Sequence, residues 1–174
     1  MEDIFYKKES IFYRNITETD YPAIAEIYQQ GIETKNATFE TVVPDWPTWN
    51  LKYLSLIRFV ATSDLKIVGW ATLSNTSTRP AYSGVCEVSV YIHKHYWGKG
   101  IGKDLLNLLV EESEKNNIWT LQAGIFPENT ASINMHINTG FRLVGNRIMI
   151  AKLGGVWRDT LLFERRSEKF WQFI

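Results

Sequence analysis

The sequence contains a single cysteine, Cys86, which excludes an intramolecular disulfide and leaves no cysteine cluster for zinc. It has no excess charge of either sign. Lys+Arg and Asp+Glu both number 19, so nothing suggests a partner such as nucleic acid or an anionic membrane. No apolar run approaches the roughly 20 residues that a spanning helix needs. The opening MEDIFYKKES lacks the apolar stretch of a secretory signal. Repeats, low-complexity tracts and domain linkers are also missing. These absences make a cytoplasmic globular protein the expectation. Its 174 residues suffice for one domain with a real core and are too few for two ordinary ones. Hydrophobic residues make up 45% of the chain. Aromatics reach 14%, with seven Trp, which would suit a ligand cleft or a subunit interface.

The most informative stretch runs from Val85 to Val110. Residues 85–93 are rich in β-branched and aromatic types and contain no Gly or Pro, which predicts a strand. Alternation puts Val85, Glu87, Ser89 and Tyr91 on one face, and Cys86, Val88, Val90 and Ile92 on the other. Gly98-Lys99-Gly100-Ile101-Gly102 follows, and then Leu105, Leu106, Leu108 and Leu109 as a helical apolar stripe. A glycine-rich turn entering a helix is an anion site built from backbone N–H groups. The spacing fits neither a dinucleotide fingerprint, since Lys103 stands where its last glycine belongs, nor a P-loop, since Asp104 follows Gly102-Lys103.

Around this unit the pattern predicts β-α-α-β-β-β-α-β-α-β-β. The predicted elements are a strand over 11–16, a helix capped by Asp20, a helix over 48–56 and a hairpin over 59–73 turning at Ser63-Asp64. A strand over 118–126, a helix over 130–138 and a closing pair joined at Gly154-Gly155 follow. The fold class is α/β, one domain with a central mixed sheet of about seven strands flanked by about four helices. Its core spans about 11–166, and the aromatic tail 167–174 has no assignment.

Four residues invite a chemical reading. Glu87 in mid-strand is a general-base candidate if burial raises its pKa; it would otherwise be solvated or paired with a buried Arg. Arg79 and Tyr82, just upstream, form either a clamp for an oxyanion or an ordinary surface pair. His136 is either a hydrogen-bonded helix residue or a catalyst. His93 and His95 lack an obvious third ligand, so no metal is expected. Phe39 is a packed loop aromatic or lines a ligand.

Several spaced motifs resemble the GNAT acyltransferases. Trp97 to Gly102 is similar to their pyrophosphate signature, with Trp97 in the place of the usual Gln or Arg. Asn129-x-x-Ser132-x-x-x-His136-x-x-x-Gly140-Phe141 resembles a second segment in which His136 replaces a tyrosine. Arg79-Pro80-Ala81-Tyr82 before Glu87-Val88-Ser89-Val90-Tyr91-Ile92 looks like the phosphinothricin acetyltransferase branch, as do Thr38-Phe39-Glu40 and Gly155-Val156-Trp157-Arg158-Asp159. The resemblance implies acetyl-CoA as co-substrate, with Glu87 as general base and His136 as hydrogen-bonding partner or acid near the thiol. Val90, Tyr91, Ile92, Trp97, Gly98, Lys99, Gly100, Ile101, Gly102, Lys103, Asn129 and Ser132 would contact the co-substrate. Phe39, Arg79 and Tyr82 would line the acceptor pocket. The acceptor implied is the α-amine of an amino-acid analogue such as phosphinothricin, methionine sulfoximine or methionine sulfone. The alternatives are a peptide N-terminus, a polyamine, or a silent acyl-CoA-binding module. Dimers are common in this branch, so a homodimer is possible.

Overall fold

The computed structural model describes residues 4–8 and 10–173. Eight strands form one sheet: β1 (Ile4–Lys8), β2 (Ile11–Asn15), β3 (Arg58–Ser63), β4 (Lys66–Asn75), β5 (Val85–Ile92), β6 (Thr120–Ile125), β7 (Arg142–Leu153) and β8 (Val156–Arg166). Their spatial order is β1-β2-β3-β4-β5-β6-β8-β7. Only β5 and β6 run parallel, so the sheet is mixed as expected. The short β1, which the sequence pattern did not separate from the N-terminal residues, adds one strand to the edge.

Helices α1 (Tyr21–Glu33) and α2 (Trp46–Lys52) cover one face; α3 (Ile101–Lys115) lies against the other. The leucine stripe explains the second layer. Leu105, Leu106 and Leu109 are fully buried and pack with Cys86, Val88 and Ala71. On the first face, Ile24, Ile27 and Tyr28 from α1 join Trp49, Tyr53, Val60 and Trp70. The period of two in β5 divides its side chains between these layers as the sequence predicts.

Local chemistry moves two boundaries. Asp45 caps α2 by accepting from Thr48 N at 3.0 Å, so the helix begins before Thr48 and holds Pro47 in its first turn. It stops at Lys52 because Tyr53 is extended (ψ 146°), which sends Tyr53 beneath the helix. The β3–β4 hairpin turns at Asp64-Leu65 rather than Ser63-Asp64. Both turn residues have positive φ (48° and 62°), matching the right-handed twist of the strands. The tail forms a short 3-10 turn, Glu168–Phe173, with the Phe170 ring 6.5 Å from that of Trp119; Ile174 lies outside the described residues.

Arg14 of β2 grips Asp20 with two bonds, at 2.7 and 2.8 Å, just before α1. Burial pushes the Asp20 carboxyl up, but the guanidinium and the Thr17 N–H and hydroxyl outweigh it and hold its pKa below the ordinary 3.8. A carboxyl with a lowered native pKa stabilises the fold above its unfolded value, and that contribution is lost as pH falls through the native one. We therefore expect Asp20→Asn to cost about 1–3 kcal/mol at pH 7. In urea unfolding, the gap to wild type should narrow as pH falls below the ordinary carboxylate value of 3.8; a gap independent of pH would contradict the linkage.

Candidate active site

Strand β5 pairs with β4 along its length, from Cys86–Asn75 to Ile92–Gly69. With β6 it registers only at Val85–Thr120, Cys86–Leu121 and Glu87–Gln122. Beyond Glu87 the two strands part. A cleft of about 240 Å³ opens there, walled by Glu87, Ser89 and Tyr91 on one side and by Ala123, Gly124 and Ile125 on the other. The 37–40 loop, the end of α2 and helix α4 (Thr130–Ile137) complete it. Backbone N–H and C=O groups facing the gap on β5 have no strand to pair with on that side. They offer a ladder to an extended ligand.

Glu87 is exposed within this cleft, where the sequence reading allowed for a buried side chain. Its carboxylate reaches across the gap, with Oε1 3.6 Å from where a Cβ on Gly124 would stand. His136 is buried (4% exposed) on α4 and also lines the cleft. Its Nδ1 lies 2.8 Å from the Ser132 carbonyl oxygen. A carbonyl can only accept, so Nδ1 carries the proton and Nε2 is a bare lone pair. Nε2 is buried and has no hydrogen-bond partner among the described residues. Burial lowers the His136 pKa, against the Ser132 contact, and keeps the imidazole neutral at pH 7. In this state it accepts a proton or hydrogen bond and cannot donate one from Nε2. Cys86 lies on the far face, fully buried, its thiol pushed up to about 11 by burial. That is the opposite of an activated nucleophile.

The glycine turn has the form of an anion cradle. Gly98 and Gly100 have φ of +76° and +82°, and nothing lies within 4 Å of where their Cβ atoms would be. Asp104 N makes its helical bond to Gly100 O, so the N–H groups of Ile101, Gly102 and Lys103 precede the helical ladder. A Cβ on Gly102 would stand 3.0 Å from Met135 Sδ, which shows how closely α3 and α4 approach. Lys103 is exposed; the Lys99 amine lies 4.5 Å over the Tyr96 ring. Trp97 offers no free donor of the kind Gln or Arg would. Its Nε1 donates to Ile92 O at 2.8 Å and pins the turn to the end of β5.

Phe39, Glu87, Val90, Tyr91, Ser132 and His136 thus share one cleft. Arg79 and Tyr82 do not. They line a neighbouring cleft of about 470 Å³ with Val85, Gln122 and Glu164. Since Val85 and Glu87 share a face of β5, the two clefts adjoin. Asn129 is not on the cleft wall. Its Oδ1 caps α4 at Ser132 N, and its Nδ2 holds Asn36 O at 2.9 Å. Arg158 ties down the same loop, donating to Lys35 O (3.3 Å) and Glu128 (3.0 Å) while lying 4.3 Å over Phe126, whose ring meets Phe39 edge-on. Sequence reading missed Tyr28, Lys52, Tyr53 and Ser74 on the cleft wall; they converge from separate elements and no spacing marks them. Among the described residues, no group of three or more His, Cys, Asp and Glu could hold a metal.

A slot along β5 has a backbone cradle toward one end, at the head of α3, and an accessible carboxylate at the other, a layout suited to a long anionic ligand. Residues 13–162 match the acetyltransferase (GNAT) domain family, and the chain belongs to it. It is 32% identical over 158 residues to the phosphinothricin N-acetyltransferase of Alcaligenes faecalis, covering 87% of this chain and 80% of that one. Among solved structures, it resembles the phosphinothricin acetyltransferase of Sinorhizobium meliloti in complex with acetyl-CoA. That match has a TM-score of 0.82 at 28% identity, covering 91% and 89% of the two chains. It also resembles the ribosomal-protein-alanine N-acetyltransferase of Brucella melitensis, with a TM-score of 0.82 at 28% identity, covering 89% and 99%. The chain is an acetyl-CoA-dependent N-acetyltransferase.

An alanine at Gly100 must adopt a left-handed backbone, at a cost of about 1 kcal/mol. Gly100→Ala should therefore lower stability by about that amount in urea unfolding and raise the KM for acetyl-CoA several-fold. An unchanged KM would remove the turn from the donor site.

Proposed function

We propose that the enzyme acetylates the α-amino group of a small amino-acid analogue of the phosphinothricin, methionine sulfoximine or methionine sulfone type by direct attack, with Glu87 as general base. The observation that carries this is the place of the Glu87 carboxylate: exposed in the cleft, at the last registered pair before β5 and β6 part. An α-ammonium group, a cation at pH 7, must lose a proton before it attacks, and Glu87 takes it directly or through a water. Backbone N–H groups of Val90 to Ile92 stabilise the carbonyl oxygen as charge develops on it. Gly98 to Lys103 hold the pyrophosphate through backbone N–H groups. Ser132 faces the thiol end, while Asn129 and Trp97 hold the walls in place. His136, neutral with Nε2 as a lone pair, can only accept a hydrogen bond there and is not the acid; as the C–N bond forms the C–S bond breaks, and the CoA sulfur leaves as the thiolate and takes its proton from solvent. Arg79 and Tyr82, in the adjoining cleft, meet the far oxyanion of the acceptor's side chain. Buried Cys86 on the opposite face argues against a covalent acyl-enzyme.

The rival acceptor is a peptide N-terminus, favoured by the likeness to a ribosomal-protein-alanine N-acetyltransferase. Assembly as a homodimer belongs to the proposal. Strand β7 is the open edge of the sheet, and the β7–β8 hairpin exposes Ile148, Met149, Ile150, Val156 and Trp157. A solution mass of 20.2 kDa would contradict it. A cytoplasmic location fits the lone buried cysteine.

The test is thiol release from acetyl-CoA with phosphinothricin, methionine sulfoximine, methionine sulfone, spermidine and a short peptide. Turnover of the first three is expected, with a loss in kcat of about 10²–10⁴-fold in Glu87→Gln. Turnover of only spermidine or peptide would overturn the acceptor class, and full activity in Glu87→Gln would overturn the base.

A further inference from the structure

We propose that Lys52 binds the α-carboxylate of the acceptor and that Glu40 is the group it gives up to do so. This rests on the amino-acid reading above. An α-amino acid carries its carboxylate one carbon from the amine. If the amine sits at Glu87, the carboxylate must lie in the same cleft. That cleft already presents two carboxylates, Glu40 and Glu87. A third anion is repelled from such a site unless a cation meets it.

Among the described residues lining the cleft, Lys52 is the only Lys or Arg. His136 is neutral there, and Arg79 belongs to the neighbouring cleft. The fold holds Lys52 beside the reacting position. Helix α2 ends at Lys52, and Leu54 N donates to Leu73 O at 2.8 Å, while the next residue of β4, Ser74, is the register partner of Glu87. Lys52 therefore approaches Glu87 from the β4 side, and Arg79 lies toward the Val85 end of β5.

The Lys52 amine now holds Glu40 Oε1 at 3.0 Å, with the two side chains 42% and 49% exposed. Exposed pairs of this kind are weak and exchange readily. Glu40 is itself a carboxylate at the cleft wall, so it occupies the place that a ligand carboxylate would take. Acceptors with two anionic or strongly polar ends then fit both clefts at once. The α-carboxylate goes to Lys52, the amine to Glu87 and the side-chain oxygens to Arg79 and Tyr82. A peptide N-terminus, with no carboxylate next to its amine, gains nothing from Lys52.

The experiment compares L-methionine sulfone with its α-carboxamide by thiol release in wild type, Lys52→Gln, Lys52→Arg and Glu40→Gln. Wild type should prefer the free acid by roughly tenfold in kcat/KM, as for one favourable charge contact. Lys52→Gln should erase that preference through the KM of the acid, and Lys52→Arg should retain it. Glu40→Gln should lower the KM of the acid, the opposite direction to Lys52→Gln. A merely structural ion pair would move both variants the same way. Turnover with the preference intact in Lys52→Gln overturns the assignment and leaves the amino-acid reading standing. No wild-type turnover of either compound overturns both. A Glu40→Gln that fails to lower the KM overturns the exchange.

Discussion

The structure depends on one interrupted pairing. Strands β5 and β6 share three registered pairs and then separate, each held by its other neighbour: β5 by β4, and β6 by β8. Helix α4 stands at the gap. Its Met135 abuts Gly102 at the head of α3, and its His136 ring packs edge-on against Phe141 at 5.0 Å. The gap therefore has a backbone rail on one side, a helix terminus with N–H groups outside the helical ladder toward one end and a carboxylate at its apex. Closing it would pair the rail and remove the site.

The electrostatics around the gap follow from burial. His136 is kept neutral and Cys86 kept protonated by their surroundings, while Glu87 remains in contact with solvent. The phenols of Tyr53 and Tyr91 are likewise pushed up by burial and remain neutral donors and acceptors on the cleft wall. Tyr91 is fixed between the rings of Trp70 (4.7 Å) and Tyr28 (4.8 Å). The loop over 35–40 that completes the cleft has little secondary structure of its own. Side chains from elsewhere hold it: Asn129 at Asn36, Tyr91 at Ala37, and Arg158 at Lys35.

Most of the fold was legible because the alternation in β5 and the leucine stripe of α3 are strong periodic signals, and the glycine turn joins them. The helix expected over 48–56 lies earlier because Asp45 caps it, Pro47 fits its first turn and Tyr53 is already extended. The cleft was legible where β5 and α4 line it. Its α2 and β4 side was not. Lys52 and Ser74 reach the cleft only through the Leu54–Leu73 bond and the β4–β5 register, which no local pattern encodes. Arg79 stands near Glu87 in sequence, yet the structure gives it to the adjoining cleft.

The most direct test of the account is a crystal structure of the enzyme with acetyl-CoA. The account predicts the pantetheine arm in the gap between β5 and β6, bonded to the backbone of β5. The pyrophosphate should lie on the N–H groups after Gly98, and the thioester within one water of the Glu87 carboxylate. A thioester placed away from Glu87, or a donor bound outside the gap, would contradict it.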